Sequence, residues 1–264
     1  MKRLLITGAA GGLGHMLRDR LTHIAPILRL ADIAPIAAPR PWEEIVQCDL
    51  ADAAAVEAMV AGCDGILHLG GISVERPFAP IMQANILGLY NLYEAARAQG
   101  QPRILFASSN HTVGFWQQSD RLRPDCPYRP DGLYGVSKVF GEALARMYFD
   151  KFGQETALLR IGSCTERPEN HRMLGSWFSH DDFLRLIEAV FRVPKLGCPV
   201  IWGASNNSRG WWDNSHLDWL GWQPQDNAED YAAEIARQQP PPAPDDPLAR
   251  FQGGLFTQFP IYKD

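Results

Sequence analysis

Apolar positions in the first 160 residues follow two alternating rhythms. Short, nearly unbroken runs mark buried strands at Arg3–Thr7, Ile27–Ala31, Glu44–Gln47, Gly65–Leu69, Arg103–Ala107 and Thr156–Ile161. Between them, apolar residues recur at helical spacing. Leu13, Met16, Leu17 and Leu21 predict a helix over Gly12–His23, and Ala53–Ala61, Pro80–Gln99 and Leu133–Phe152 predict three more. From about Arg167 the rhythm changes. Asp181–Phe191 reads as a helix, Pro199–Trp202 as extended chain, and Gly210-Trp211-Trp212 as irregular. Gln239–Pro244 is a proline-rich connector that cannot be helical.

Strands this short and apolar, separated by helices, imply a mostly parallel sheet covered on both faces, with right-handed crossovers. The fold class is therefore α/β, doubly wound and Rossmann-like, with a small C-terminal region capping the substrate side. We expect one domain over residues 1–264: 1–163 mainly the cofactor-binding core, 164–264 mainly substrate cap and oligomerisation tail.

Composition narrows the function classes. Hydrophobic residues make up 46% of the chain, enough for a well-buried core. The net charge of −5, without a long basic run, makes nucleic acid and anionic membrane poor partners. No segment approaches ~20 apolar residues, so none is expected to span a membrane, and the apolar run after Arg3 is too short for a signal peptide. The five cysteines (Cys48, Cys63, Cys126, Cys164, Cys198) form no Cys-x-x-Cys and read as reduced thiols of a cytoplasmic protein. The seven histidines have no metal-ligand spacing, so no metal is expected.

Three clusters carry candidate chemistry. The first is Thr7-Gly8-Ala9-Ala10-Gly11-Gly12-Leu13-Gly14, which follows the first strand and opens the first helix. Glycines there permit a tight turn and close approach of backbone to a pyrophosphate, beside the free N–H groups of a helix start. Asp32 follows the second strand, 18 residues after Gly14. A carboxylate there accepts hydrogen bonds from ribose hydroxyls and repels a 2′-phosphate, which favours NAD over NADP. Asp49 and Leu50 follow the third strand and are expected near the adenine. Leu69, Gly70 and Gly71 end the fourth, where small residues let the cofactor lie against backbone. The second cluster is Tyr134-Gly135-Val136-Ser137-Lys138, the one Tyr-x-x-x-Lys in the sequence. Positions i and i+4 share a helix face, and a nearby ammonium favours phenolate, so Tyr134 is expected to act as a general base. The third is the set of polar residues on loops after strands four to six: Ser73, Asn110, His111 and Ser163. These sit at the carboxyl edge where open α/β sheets bind ligands.

With these residues in place, the chain resembles the extended branch of the short-chain dehydrogenase/reductase superfamily. Phe106–Gly114 is similar to that branch's serine segment, Asn85–Leu92 to its Asn-x-x-Gly-x-x-Asn helix, and Ser109 precedes Tyr134 by 25 residues, as its catalytic pattern expects. A closer resemblance runs nearly end to end, through His68–Glu75, Ser108–Thr112, Arg160–Cys164, Ser176–Asp182 and Arg250–Gly254. These stretches look like the bacterial uronate dehydrogenases. That resemblance implies NAD-dependent oxidation of D-glucuronate or D-galacturonate at C1, to an aldaro-lactone that opens to the aldarate. It implies Tyr134, Lys138 and Ser109 as the catalytic set, with Tyr134, Lys138 and Ser163 also against the nicotinamide end. Ser73, Ser109, Asn110, His111, Tyr134 and Ser163 would contact substrate, and Arg172, with Arg167 as its competitor, would grip the C6 carboxylate. It also implies a homo-oligomer, with a hexamer the family's example. The six tryptophans from Trp177 to Trp222 read as filling of the cap and of a subunit interface. Two other readings stand beside this one: a nucleotide-sugar epimerase or dehydratase sharing Ser109, Tyr134 and Lys138, and a non-catalytic NAD-binding regulator. The sequence does not rank glucuronate against galacturonate.

Overall fold

The computed structural model describes residues 1–263. In chain order the elements are β1 (Arg3–Thr7), α1 (Gly12–Leu17), β2 (Ile27–Asp32), β3 (Glu43–Gln47), α2 (Ala53–Val60), β4 (Gly65–His68) and α3 (Phe78–Ile81). A π-helical turn (Met82–Leu87), α4 (Gly88–Ala98), β5 (Arg103–Ser109), a 3₁₀ turn (Asn110–Val113), α5 (Leu133–Phe152) and β6 (Thr156–Ile161) follow. The last part holds β7 (Ser163–Cys164), α6 (Met173–Ser176), β8 (Trp177–Phe178), α7 (His180–Arg192), β9 (Val200–Gly203), α8 (Ala232–Gln238) and α9 (Pro247–Arg250).

A seven-stranded sheet runs β3-β2-β1-β4-β5-β6-β9. Every neighbouring pair is parallel, with Thr7 opposite both Ala31 and His68, and Ser109 opposite Ile161. This is the doubly wound order, and it reverses between β1 and β4, where the crevice for a ligand opens. Side chains alternate between the two faces. Leu4, Ile6, Leu28, Leu30, Leu105 and Leu159 pack with α7 through Phe183, Ile187 and Val190. Leu5, Ile66, Ile104, Phe106 and Leu158 pack with α2, α4 and α5 through Val56, Leu92 and Tyr148. Burial on both faces is what the unbroken apolar runs required.

Three elements differ from the sequence pattern. The first helix stops at Leu17 and continues as turns, although Leu21 stays fully buried. Pro26 demands extended chain before it, and the buried Arg18 turns to Glu43 and to the Ala37 and Ala38 carbonyls. The helix expected over Pro80–Gln99 runs from Phe78 to Ala98 but widens into the π turn. There Gly88 lies so close that a Cβ would come 2.7 Å from Leu50 Cβ. The extended segment near Trp202 is the edge strand β9, so β9 completes the main sheet and α7 covers one of its faces. Trp202 is fully buried and stacks on Trp212 at 5.2 Å. Trp177 lies in a small separate cluster with Leu174, Ala228 and Ile235, whereas Trp219 is half exposed. No helix among the described residues is long and apolar enough to cross a membrane.

Candidate active site

The glycine loop leaves β1 at the topological switch. Gly8 has φ +71°, and a Cβ there would come 2.7 Å from the Leu69 carbonyl carbon. Glycine is thus required both for the turn and for the close approach of the Leu69-Gly70-Gly71 backbone. That approach is pinned by Thr7, whose Oγ1 accepts the Gly70 N–H at 3.0 Å and pairs with His68 Nδ1 at 2.7 Å. Burial holds His68 neutral, pushing it down to about 3, with the Lys138 charge adding to the effect. By contrast, a Cβ on Gly12 would meet nothing within 4 Å, so this glycine borders open space at the start of α1.

Two hollows meet at Gly71. One, of about 380 Å³, is lined by Asp32, Asp49, Leu50, Gly70 and Gly71 among others. The second, of about 320 Å³, is lined by Gly8, Gly11, Gly12, Leu13, Gly14, Leu69 and Gly71, and by Ser73, Ser109, Asn110, His111, Tyr134 and Lys138. A glycine-walled groove with an acidic residue at one end and reactive side chains at the other fits an extended dinucleotide. Asp32 also ties the glycine loop to β2, accepting the Ala10 and Ala34 N–H groups at 2.9 Å each. Asp49 accepts the Ala51 N–H at 2.9 Å.

Tyr134 stands in the first turn of α5, and Lys138 one turn on. Both are buried. Lys138 Nζ donates to the Ala107 carbonyl at 2.8 Å and lies 5.7 Å from the centre of the Tyr134 ring. The expected depression of the phenol does not emerge. Burial pushes Tyr134 up to about 12, against an opposing hydrogen bond from Ser109. Burial pushes Lys138 down to about 8. Desolvation works against the charged form of each group, and so against the ammonium–phenolate state of the pair.

Two residues outside the predicted set build this corner. The buried Glu75 accepts the N–H groups of Leu133 and Tyr134 at 2.9 Å each, supplying the acceptors that the start of α5 lacks. Asn85, in the π turn, bonds both the N–H and the carbonyl of Ile72 and donates to Ser137 Oγ at 2.9 Å. It thereby joins the loop after β4 to α5. Both lay within stretches the resemblance rested on, but nothing local in the sequence separates them from surface polar residues.

The polar residues after β5 and β6 are knit to the C-terminal tail. The Gln252 carbonyl accepts from Asn110 Nδ2 at 3.1 Å, from Arg172 Nε at 2.9 Å and also from Arg172 Nη2. Arg172 Nη1 donates to Ser163 Oγ at 3.2 Å. Arg172 and Ser163 thus meet each other, but neither is among the residues lining the two hollows; their neighbours Gly162 and Cys164 are. Burial pushes the Arg172 guanidinium down to about 10, with the Asp131 charge pulling the other way. His111 Nδ1 pairs with Asp131 Oδ2 at 2.7 Å, and its ring stacks on Phe256 at 3.9 Å. Asp131 and Phe256 were not anticipated, and Gln252 was only part of a resembling stretch.

Residues 4–179 match the NAD dependent epimerase/dehydratase family. The uronate dehydrogenase of Agrobacterium fabrum is 70% identical over 263 residues, 100% of this chain and 99% of that protein. The chain belongs to this family, among its uronate dehydrogenases. The uronate dehydrogenase of Pseudomonas putida is 51% identical, covering 97% of this chain and 95% of its own. Among solved structures, a tyrosine-to-alanine variant of the Agrobacterium tumefaciens uronate dehydrogenase, complexed with NAD, superposes with a TM-score of 0.99. It is 70% identical and covers 100% of both chains. The uronate dehydrogenase fold therefore extends over the whole chain, including the tail that carries Gln252.

Proposed function

We propose that the chain oxidises a hexuronic acid, D-glucuronate or D-galacturonate, at C1 to the aldaro-lactone, with Tyr134 as general base. The observation that carries this reading is one cavity walled by the glycine loop on one side and by Ser109, Tyr134 and Lys138 on the other. NAD, when bound, supplies the hydride acceptor. The chain supplies the rest. Gly8, Gly11, Gly12, Leu13 and Gly14 hold the pyrophosphate, and Asp32 takes the ribose hydroxyls and excludes a 2′-phosphate. Asp49, Leu50, Leu69, Gly70 and Gly71 line the adenosine half. Lys138 and Ser163 hold the nicotinamide end.

Once the coupled Tyr134–Lys138 pair has given up one proton, it can act as the base: as the C1–H bond breaks, the C1 hydroxyl proton passes to Tyr134 Oη and the C1–O bond becomes the lactone carbonyl. Ser109 orients that hydroxyl. Ser73, Asn110 and His111 bind the ring hydroxyls, and Arg172 takes the C6 carboxylate through charge-assisted hydrogen bonds. We also read the protein as cytoplasmic, supported by five free cysteines. A homo-oligomer is supported by exposed apolar side chains on α4 and α5 (Tyr90, Val136, Met147) and on the tail (Leu255, Phe259, Ile261).

An absorbance assay of NADH formation with glucuronate, galacturonate, glucose and galactose tests the reading. Only the two acids should be oxidised efficiently. Equal rates on the neutral sugars would exclude the carboxylate site, and turnover only of nucleotide-linked sugars would favour an epimerase or dehydratase.

A further inference from the structure

We propose that Asp131 is a positioning residue for substrate recognition: it keeps the hydrogen of the His111 ring on Nδ1, so that Nε2 serves the cavity as an acceptor for a hydroxyl of the sugar ring. The inference rests on the uronate reading and adds to it a residue and a hydrogen-bond polarity.

A carboxylate only accepts, so the 2.7 Å contact between Asp131 Oδ2 and His111 Nδ1 places the hydrogen on Nδ1. In the neutral ring Nε2 is then the acceptor. His111 lines the cavity, and its Nε2 has no partner among the described residues. The ring cannot turn freely, because Phe256 stacks on it at 3.9 Å and Tyr134 meets it edge-on at 5.7 Å.

Position alone would make Asp131 a helix cap, since it lies just before α5. Glu75 already holds the first N–H groups of that helix. Asp131 instead turns to His111, its side chain fully buried and its Oδ1 without a partner. A buried oxygen left unsatisfied is costly, so the arrangement is explained by what the other oxygen does. The surroundings are shaped for it. A Cβ on Gly114 or Gly253 would run into Oδ2, and the Gly253 N–H bonds the Gly114 carbonyl at 2.9 Å beside it. Two backbone bonds, Arg129 N to Thr112 O and Phe115 N to Arg129 O, each 3.0 Å, hold the segment before Asp131 against the turn that carries His111.

Two measurements test the inference. The ¹⁵N imidazole spectrum of the native protein, with His111 assigned by its loss in His111→Ala, should show Nδ1 protonated and Nε2 bare. A ring protonated at Nε2 with Nδ1 bare would overturn the proposal whatever the substrate. The second is a double-mutant cycle in glucuronate kinetics. Asp131→Leu should raise KM about tenfold or more with NAD affinity unchanged, whereas in the His111→Ala background it should change KM by less than about twofold. Asp131→Asn, which keeps an acceptor, should recover most of the native KM. Equal penalties in both backgrounds would make Asp131 merely structural and overturn the proposal. If Asp131→Leu does not fold, the Asp131→Asn kinetics and the native spectrum decide. Absence of uronate oxidation by the native protein would defeat the functional reading and leave the tautomer to be read from the spectrum.

Discussion

Glu75 Oε2 accepts the backbone N–H of Tyr134 at 2.9 Å, so a residue on the loop after β4 sets the start of the helix that carries Tyr134 and Lys138. Its other oxygen takes the Leu133 N–H, and the site is buried. Glu75→Ala strands two donors and should destabilise the fold by about 1.5–3 kcal/mol, the usual loss for buried hydrogen bonds to a charged group. Glu75→Gln keeps one acceptor and should cost less. Urea unfolding measures both, and equal stability of Glu75→Ala and the native protein would contradict the role.

The Tyr134–Lys138 pair sets the pH dependence. Lys138 is held down to about 8 and Tyr134 up to about 12, so the pair loses its first proton near pH 8. A pair that has lost one proton can take up the C1 hydroxyl proton through Tyr134 Oη, so kcat/KM for uronate oxidation should rise with pH and level off above about 8. In Lys138→Met the rise should move towards the phenol's own range.

The same shift appears in stability. Between about 8 and the ordinary lysine value of 10.5, the unfolded chain binds more protons than the folded one at this position. Lys138's contribution to stability therefore rises with pH across that window. Lys138→Met should gain on the native protein at neutral pH and lose that advantage by about pH 10. Comparing the two proteins cancels the other buried groups that titrate there.

Gly12 separates cofactor binding from folding. A Cβ there meets nothing in the chain. Gly12→Ala should therefore leave the melting temperature nearly unchanged while weakening NAD binding about tenfold or more, because the methyl group would intrude on the pyrophosphate site proposed there. Gly8→Ala, at φ +71° and against the Leu69 backbone, should damage both.

Gln252 offers a handle on the carboxylate site proposed at Arg172. Its side chain is held by Trp212 Nε1 and by the Gln117 and Asp120 carbonyls, and its own carbonyl holds Arg172. Gln252→Ala should raise KM for glucuronate several-fold with NAD affinity retained, since the backbone carbonyl that seats Arg172 loses its side-chain anchor. An unchanged KM would detach the tail from substrate recognition.

Much of this was legible along the chain. The strands from Arg3 to Ile161 announced themselves because burial on both faces leaves unbroken apolar runs. The glycine loop and Tyr134 with Lys138 were visible because backbone approach and helix spacing are local properties. What remained hidden depends on distant pairings. Glu75 caps a helix 58 residues away, and Gln252 reaches Asn110 across 142. Asp131 looked like an ordinary residue before a helix, because its partner His111 is fixed only by tertiary packing. The shift of Tyr134 was misjudged for the same reason: spacing shows that a cation is near, but not that burial outweighs it.

Tyr134→Phe tests the central claim most directly. Loss of the phenolic oxygen removes a base worth roughly 10²–10⁴-fold in rate. The account predicts a fall of at least about a hundredfold in kcat for glucuronate oxidation, with the NAD dissociation constant unchanged. A variant that turns over at near-native rate would contradict it.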